Sequence, residues 1–115
     1  EDKGAFELNK EDDYPDFIKL VTESVKKDDF GIILGGSGQG EAICANRYNQ
    51  ARSAVYYGGP RKIIKLARQH NNANILSLGA RFISKRKAKK ITKLFLETPF
   101  SNKERHVRRI KKLWK

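Results

Sequence analysis

Apolar residues in this chain fall into short unbroken runs, separated by stretches where they recur every three or four positions. The runs are Phe30-Gly-Ile-Ile-Leu34, Ala54-Val-Tyr-Tyr57 and Ile75-Leu-Ser-Leu78, the last closed by Gly79. Runs this short, bounded by glycine and asparagine, read as strands covered on both faces, which is how a parallel sheet is buried. Between them the spacing becomes helical. Phe17, Ile18, Val21 and Val25 follow Pro15, a residue suited to a first helical turn, and Asp28-Asp-Phe-Gly31 ends that helix. Glu41 to Tyr48 reads as a second helix with Ile43 and Cys44 inward. Gly58-Gly-Pro60 opens a third, with Ile63, Ile64 and Ala67 on one face, and Asn71-Asn-Ala-Asn74 is the loop after it. Ser84 is the expected N-cap of a fourth helix, with Ala88, Ile91, Leu94 and Phe95 on its apolar side. Thr98-Pro-Phe100 breaks it. Ser101 or Asn102 then caps a last helix with Val107, Ile110, Leu113 and Trp114 at helical spacing. Residues 5–8 read as a short strand or an irregular entry. Strands alternating with helices predict an α/β chain with a parallel sheet. Ligands in such sheets sit beyond the carboxyl ends of the strands, which selects the loops after Leu34, Tyr57 and Leu78.

A length of 115 residues fits one domain, 1–115, and leaves no room for a second core. No run of about 18 apolar residues exists, so a transmembrane helix is excluded. Cys44 is the only cysteine. An internal disulfide is therefore impossible, and a reducing, cytoplasmic home is expected. The chain contains no Met, not even at position 1, so it is expected to be a processed or trimmed piece. The formal net charge is +12 and is unevenly spread. Residues 1–34 hold ten acids against five lysines, whereas residues 81–115 hold fourteen basic residues against Glu97 and Glu104. Clustered positive charge suggests a polyanion or a phosphate-bearing ligand, and a solvated lysine-rich helix face accounts for it as well. A nucleic-acid-binding module is the alternative reading. It calls for aromatic readers among the lysines, and Phe82, Phe95, Phe100 and Trp114 are few and mostly on apolar faces. Nucleic acid is therefore not the expected partner. One Cys and two separated His (His70, His106) make no usual metal site, and no cofactor is expected.

The segment Gly35-Gly-Ser-Gly-Gln-Gly40-Glu41 lies between a strand and a helix. Glycines allow a ligand to approach the backbone closely, and successive N–H groups make an anion site. No Gly-Lys-Ser/Thr follows, so this is not a P-loop, and the glycine spacing is not that of a dinucleotide fingerprint. Spacing alone fits a tight structural turn equally well. Glu41 changes the balance, because a carboxylate beside a ring of N–H donors is an acid/base group next to an oxyanion site. Ser37 can donate to such an oxyanion or simply brace the loop.

Gly31-Ile-Ile-Leu-Gly-Gly-Ser-Gly-Gln-Gly-Glu-Ala-Ile-Cys-Ala-Asn46 resembles the signature segment of the ribose-5-phosphate isomerase B and galactose-6-phosphate isomerase family. Asp13-Tyr-Pro15, Arg68-Gln-His-Asn71, Asn74, Gly79-Ala-Arg81 and Arg105-His-Val-Arg-Arg109 resemble further segments in the same order. The resemblance implies a three-layer α/β/α Rossmann-like fold whose first strand, helix and second strand precede Glu1. It implies aldose–ketose isomerisation of a phosphorylated sugar of five or six carbons, ribose 5-phosphate to ribulose 5-phosphate first among them. One branch of the family has a cysteine base at the position of Gly35. This chain resembles the branch with a glutamate after the last loop glycine, Glu41. By the same resemblance Ser37 and the Gly36, Gly38 and Gly40 N–H groups hold the enediolate. His70 opens the sugar ring, Asn71 positions substrate, and Arg81, Arg105 and Arg109 bind phosphate. The resemblance also implies a homodimer with shared active sites, in which the helix at 101–115 reaches the partner subunit. Cys44 is then helix core, and His106 and Arg108 have no assigned role.

Overall fold

A computed structural model of the protein describes residues 1–113 except Phe6, Leu8 and Lys27. Three parallel strands, β1 (Gly31–Gly35), β2 (Ser53–Tyr56) and β3 (Ile75–Gly79), form a sheet in the order β1-β3-β2. Gly31 stands beside Ile75 at one margin and Gly35 beside Gly79 at the other, and Ser53 to Tyr56 stand beside Ile75 to Leu78. The central strand β3 is buried at every position, which is why its sequence shows no polar alternation. Among the described residues five helices accompany the strands: α1 (Tyr14–Ser24), α2 (Gln39–Ala45), α3 (Lys62–Asn71), α4 (Lys85–Glu97) and α5 (Glu104–Lys111).

Because successive strand residues face opposite sides, the sheet divides its apolar residues between two cores. Ile33 and Ile75 point to one side and pack with Ile18, Val25, Ala45 and Ala51, beneath α1 and α2. Tyr56, Leu76 and Leu78 point to the other and pack with Ile64 of α3 and Ile91 and Phe95 of α4. The alternating elements predict this parallel α/β sheet, and its three-layer α/β/α arrangement is the one the family resemblance implies. The outer edge of β1 pairs with no strand among the described residues. Leu34 is exposed there and, with Ile32, Leu78, Ala88 and Leu96, lines an apolar groove between β1 and α4. No helix among the described residues is long and apolar enough to cross a membrane.

Several sequence expectations need correction. Phe30 and Tyr57 lie just outside β1 and β2, and both are exposed. In α2 the small residues Ala42 and Ala45 face inward, while Ile43 is exposed. A close approach of α2 to α1 and the sheet admits methyl groups there and turns the larger side chain out. Ile63 is likewise exposed, and Ile64 and Arg68 are the buried positions of α3. Phe82 is two-thirds exposed, against Tyr57, rather than on an apolar face. Ser84 caps α4 as expected, accepting a 3.0 Å hydrogen bond from the Lys87 N–H. The N-cap of α5 is Lys103, after Asn102 at φ 58°, so neither Ser101 nor Asn102 is the cap itself. Leu113 is exposed, and Trp114 lies outside the described residues, as do Phe6 and Leu8 of the expected entry strand.

Arg68 anchors the lower end of the molecule. Its guanidinium, 6% exposed, donates to the carbonyls of Thr98 (2.8 Å) and Ala73 (2.6 Å) and to Asn72 Oδ1 (3.0 Å). It also lies 4.8 Å from the centre of the Phe30 ring. Burial, and then the neighbouring Arg52, hold its pKa below the usual guanidinium range. One planar fork thus ties together the ends of α3 and α4 and the lead into β3.

Candidate functional site

The glycine loop leaves β1 at the carboxyl edge of the sheet. Gly38 adopts a left-handed φ of 77° as the residue before α2, and its carbonyl accepts a 2.6 Å hydrogen bond from the buried Ser77 hydroxyl. The loop lies so close over β3 that a side chain at Gly79 would strike the Ser37 carbonyl. The N–H groups of Gly36, Ser37 and Gly38 donate to no group among the described residues. Those of Gly40 and Glu41 belong to the first turn of α2, where no intrahelical acceptor exists. Ser37 Oγ accepts from the Gln39 N–H at 3.2 Å, which leaves its own proton free to donate.

Glu41 occupies the first turn of α2. Its carboxylate folds back over Gly35, where a side chain on residue 35 would collide with it. Arg81 enters from the loop after β3: its N–H donates to the Gly36 carbonyl at 3.1 Å, and its guanidinium lies over Gly36. Carboxylate, free donors and guanidinium thus all lie along the one glycine loop. The phenol of Tyr14, half-exposed at the start of α1, stands against Gly40 of the same loop. Tyr14 was not marked as a site residue by the sequence, where it is only the middle of a turn motif. An exposed aromatic beside a proline is the one signal it offers. Cys44 is part-buried beside the α1–α2 core, and burial first, then Glu41, push its thiol pKa up. It packs against that core from α2.

The remaining predicted residues lie elsewhere. His70 and Asn71 end α3, which follows the carboxyl end of β2 and runs back to the amino edge of the sheet, where β3 begins. A ten-residue helix rises about 15 Å, so α3 carries His70 to the edge of the sheet opposite the glycine loop. Arg105 and Arg109 belong to α5, at the same amino edge as His70. Both are exposed, and neither forms an ion pair among the described residues. Arg108 instead pairs with Glu104 on the outer surface, its N–H 2.6 Å from the carboxylate. The site residues thus divide into a carboxyl-edge group (Gly36, Ser37, Gly38, Gly40, Glu41, Arg81) and an amino-edge group (His70, Asn71, Arg105, Arg109). The lysines of α4 belong to neither. Among the described residues no three His, Cys, Asp or Glu side chains converge on one point.

Comparison with known proteins matches residues 1–113 to the family described as Ribose/Galactose Isomerase. A ribose-5-phosphate isomerase B from Mycolicibacterium paratuberculosis is 43% identical over 111 residues, which cover 95% of this chain and 69% of that protein. A probable ribose-5-phosphate isomerase B from Mycoplasma genitalium is 40% identical, over 97% of this chain and 74% of its own length. Among solved structures, a ribose 5-phosphate isomerase from Thermotoga maritima superposes with a TM-score of 0.88 at 43% identity, over 98% of this chain and 77% of that one. The Mycoplasma genitalium enzyme with bound ribulose-5-phosphate gives 0.87 at 40% identity, over 96% of this chain and 72% of its own.

Proposed function

This chain belongs to the ribose/galactose isomerase family, and from that premise we propose that it interconverts ribose 5-phosphate and ribulose 5-phosphate. The observation that carries the reading is the Glu41 carboxylate held over Gly35, on the loop that also presents free N–H groups and meets Arg81. Aldose–ketose isomerisation moves one proton between C2 and C1 through a cis-enediolate. It needs a single base within reach of both carbons and donors for the charge that grows on two oxygens. Glu41 is the base. Ser37 and the N–H groups of Gly36, Gly38 and Gly40 are the donors, and they act only as charge develops, so they favour the transition state over the bound sugar.

The sugar arrives as a closed ring, and His70 exchanges the proton that opens it, with Asn71 fixing its pose. Imidazole suits this work because its ordinary pKa lies near neutrality. Since His70, Arg105 and Arg109 stand at the other edge of the sheet, they act on the substrate held by a second copy. The working unit is then a homodimer with two composite sites, each bringing Glu41 and Arg81 from one chain and His70, Asn71, Arg105 and Arg109 from the other. Phosphate sits among the three arginines, whose planar forks match its oxygens.

The direct test is conversion of ribose 5-phosphate to ribulose 5-phosphate by the intact protein. Turnover of a six-carbon sugar phosphate with none of ribose 5-phosphate would overturn the substrate assignment and keep the chemistry. Turnover of neither would overturn both. Arg105→Ala and Arg109→Ala are each expected to lower kcat/KM about 10- to 100-fold, mostly through KM, the loss of a charge-assisted phosphate contact. Wild-type KM in both variants would remove α5 from the phosphate site.

A further inference from the structure

His106, which the sequence left without a role, stacks against His70. The ring centroids are 4.2 Å apart and the planes 31° from parallel. His70 is exposed on the last turn of α3, whereas His106 is 3% exposed. The buried ring is fixed from behind: Ser101 Oγ lies 2.8 Å from His106 Nδ1. Ser101 is fixed in turn, its N–H donating to the Gln69 carbonyl at 3.1 Å, one residue before His70. The chain therefore closes a small circuit from α3 through Ser101 and His106 back to the face of His70. Charges facing the pair come from Lys103, Arg105 and Arg109, all basic. Burial first, and then His70 and these three groups, hold the pKa of His106 below the usual imidazole range.

We infer that His106 is a positioning residue for His70: its flat, buried ring is the shelf that holds the exposed imidazole at the angle from which it meets the sugar-ring oxygen. The inference rests on the reading of His70 as the ring-opening group. An exposed histidine turns about two side-chain bonds, and a planar neighbour removes most of that freedom on one face.

Two reactions separate this role from a purely structural one. Conversion of ribose 5-phosphate needs the ring opened. Exchange of the C1 hydrogen of ribulose 5-phosphate for solvent deuterium does not, because that ketose carries its phosphate on the only hydroxyl that would close a five-membered ring. Both are measured on the intact protein with His106→Phe, which keeps a flat face, and His106→Leu, which fills the space without one. Conversion by the Phe variant is expected close to wild type. Conversion by the Leu variant is expected to fall about 10- to 100-fold in kcat, the loss that accompanies misplacement of a reacting group, while its deuterium exchange persists. Equal conversion by the two variants, or parallel loss of conversion and exchange with a raised KM, overturns the inference. If neither variant folds by thermal melting, Ser101→Ala decides on the same readouts: conversion lowered at constant exchange supports it, and unchanged conversion overturns it. Wild-type conversion by His70→Ala would instead retire the ring-opening reading itself.

Discussion

Glu41→Gln is expected to lower kcat for ribose 5-phosphate about 10²- to 10⁴-fold, the range lost when a general base is removed. KM and melting temperature are expected to stay near wild type. Glutamine has the shape of glutamate and keeps its place in the first turn of α2, but its amide takes no proton from carbon. Wild-type turnover in this variant would mean that another group does the proton transfer. Gly35→Ala sharpens the test from the opposite direction. The added methyl would strike the Glu41 carboxylate, and Gly35 lies in a strand with no positive φ to strain. The carboxylate must move while the fold holds, so kcat is expected to fall with the melting temperature preserved. A fully active alanine variant would show that the position over residue 35 is not the working one.

Two variants that are each inactive are expected to regain activity when combined. Glu41→Gln spoils the carboxyl-edge half of the site, and His70→Ala spoils the amino-edge half. In a mixed dimer of composite sites, one site collects both defects and the other collects none. Random mixing makes half of the dimers mixed, so about a quarter of wild-type activity returns. Were each site confined to one chain, every site in the mixture would keep one defect and the mixture would stay dead. Co-expression of the two variants, followed by the conversion assay, decides between these outcomes.

The strands were legible because a sheet covered on both faces leaves its mark in consecutive residues: Ile75 to Leu78 is apolar except for Ser77, whose hydroxyl is spent on the Gly38 carbonyl. The glycine loop and Glu41 were legible for a similar reason, since the whole carboxyl-edge group except Arg81 comes from six neighbouring residues. What a linear reading hides is direction. His70 and Arg81 are eleven positions apart and lie at opposite edges of the sheet, because β3 runs its full length between them. Tyr14 at Gly40, Arg68 at Thr98 and His106 at His70 join residues 26 to 36 positions apart, and no local spacing announces such pairs. Helix faces were misread where size matters more than apolarity, as with Ile43 turned out and the alanines beside it turned in.

The carboxylate over Gly35 also bears on how a site of this kind can change over generations. Two chain positions reach the volume over Gly35: residue 35 directly, and residue 41 by folding back. A reactive side chain can fill it from either position, but the space does not hold both. A lineage moving its base from one position to the other must therefore pass through a sequence that is either crowded or without a base. A comparison of many sequences is expected to find reactive side chains at positions 35 and 41 mutually exclusive rather than independently variable.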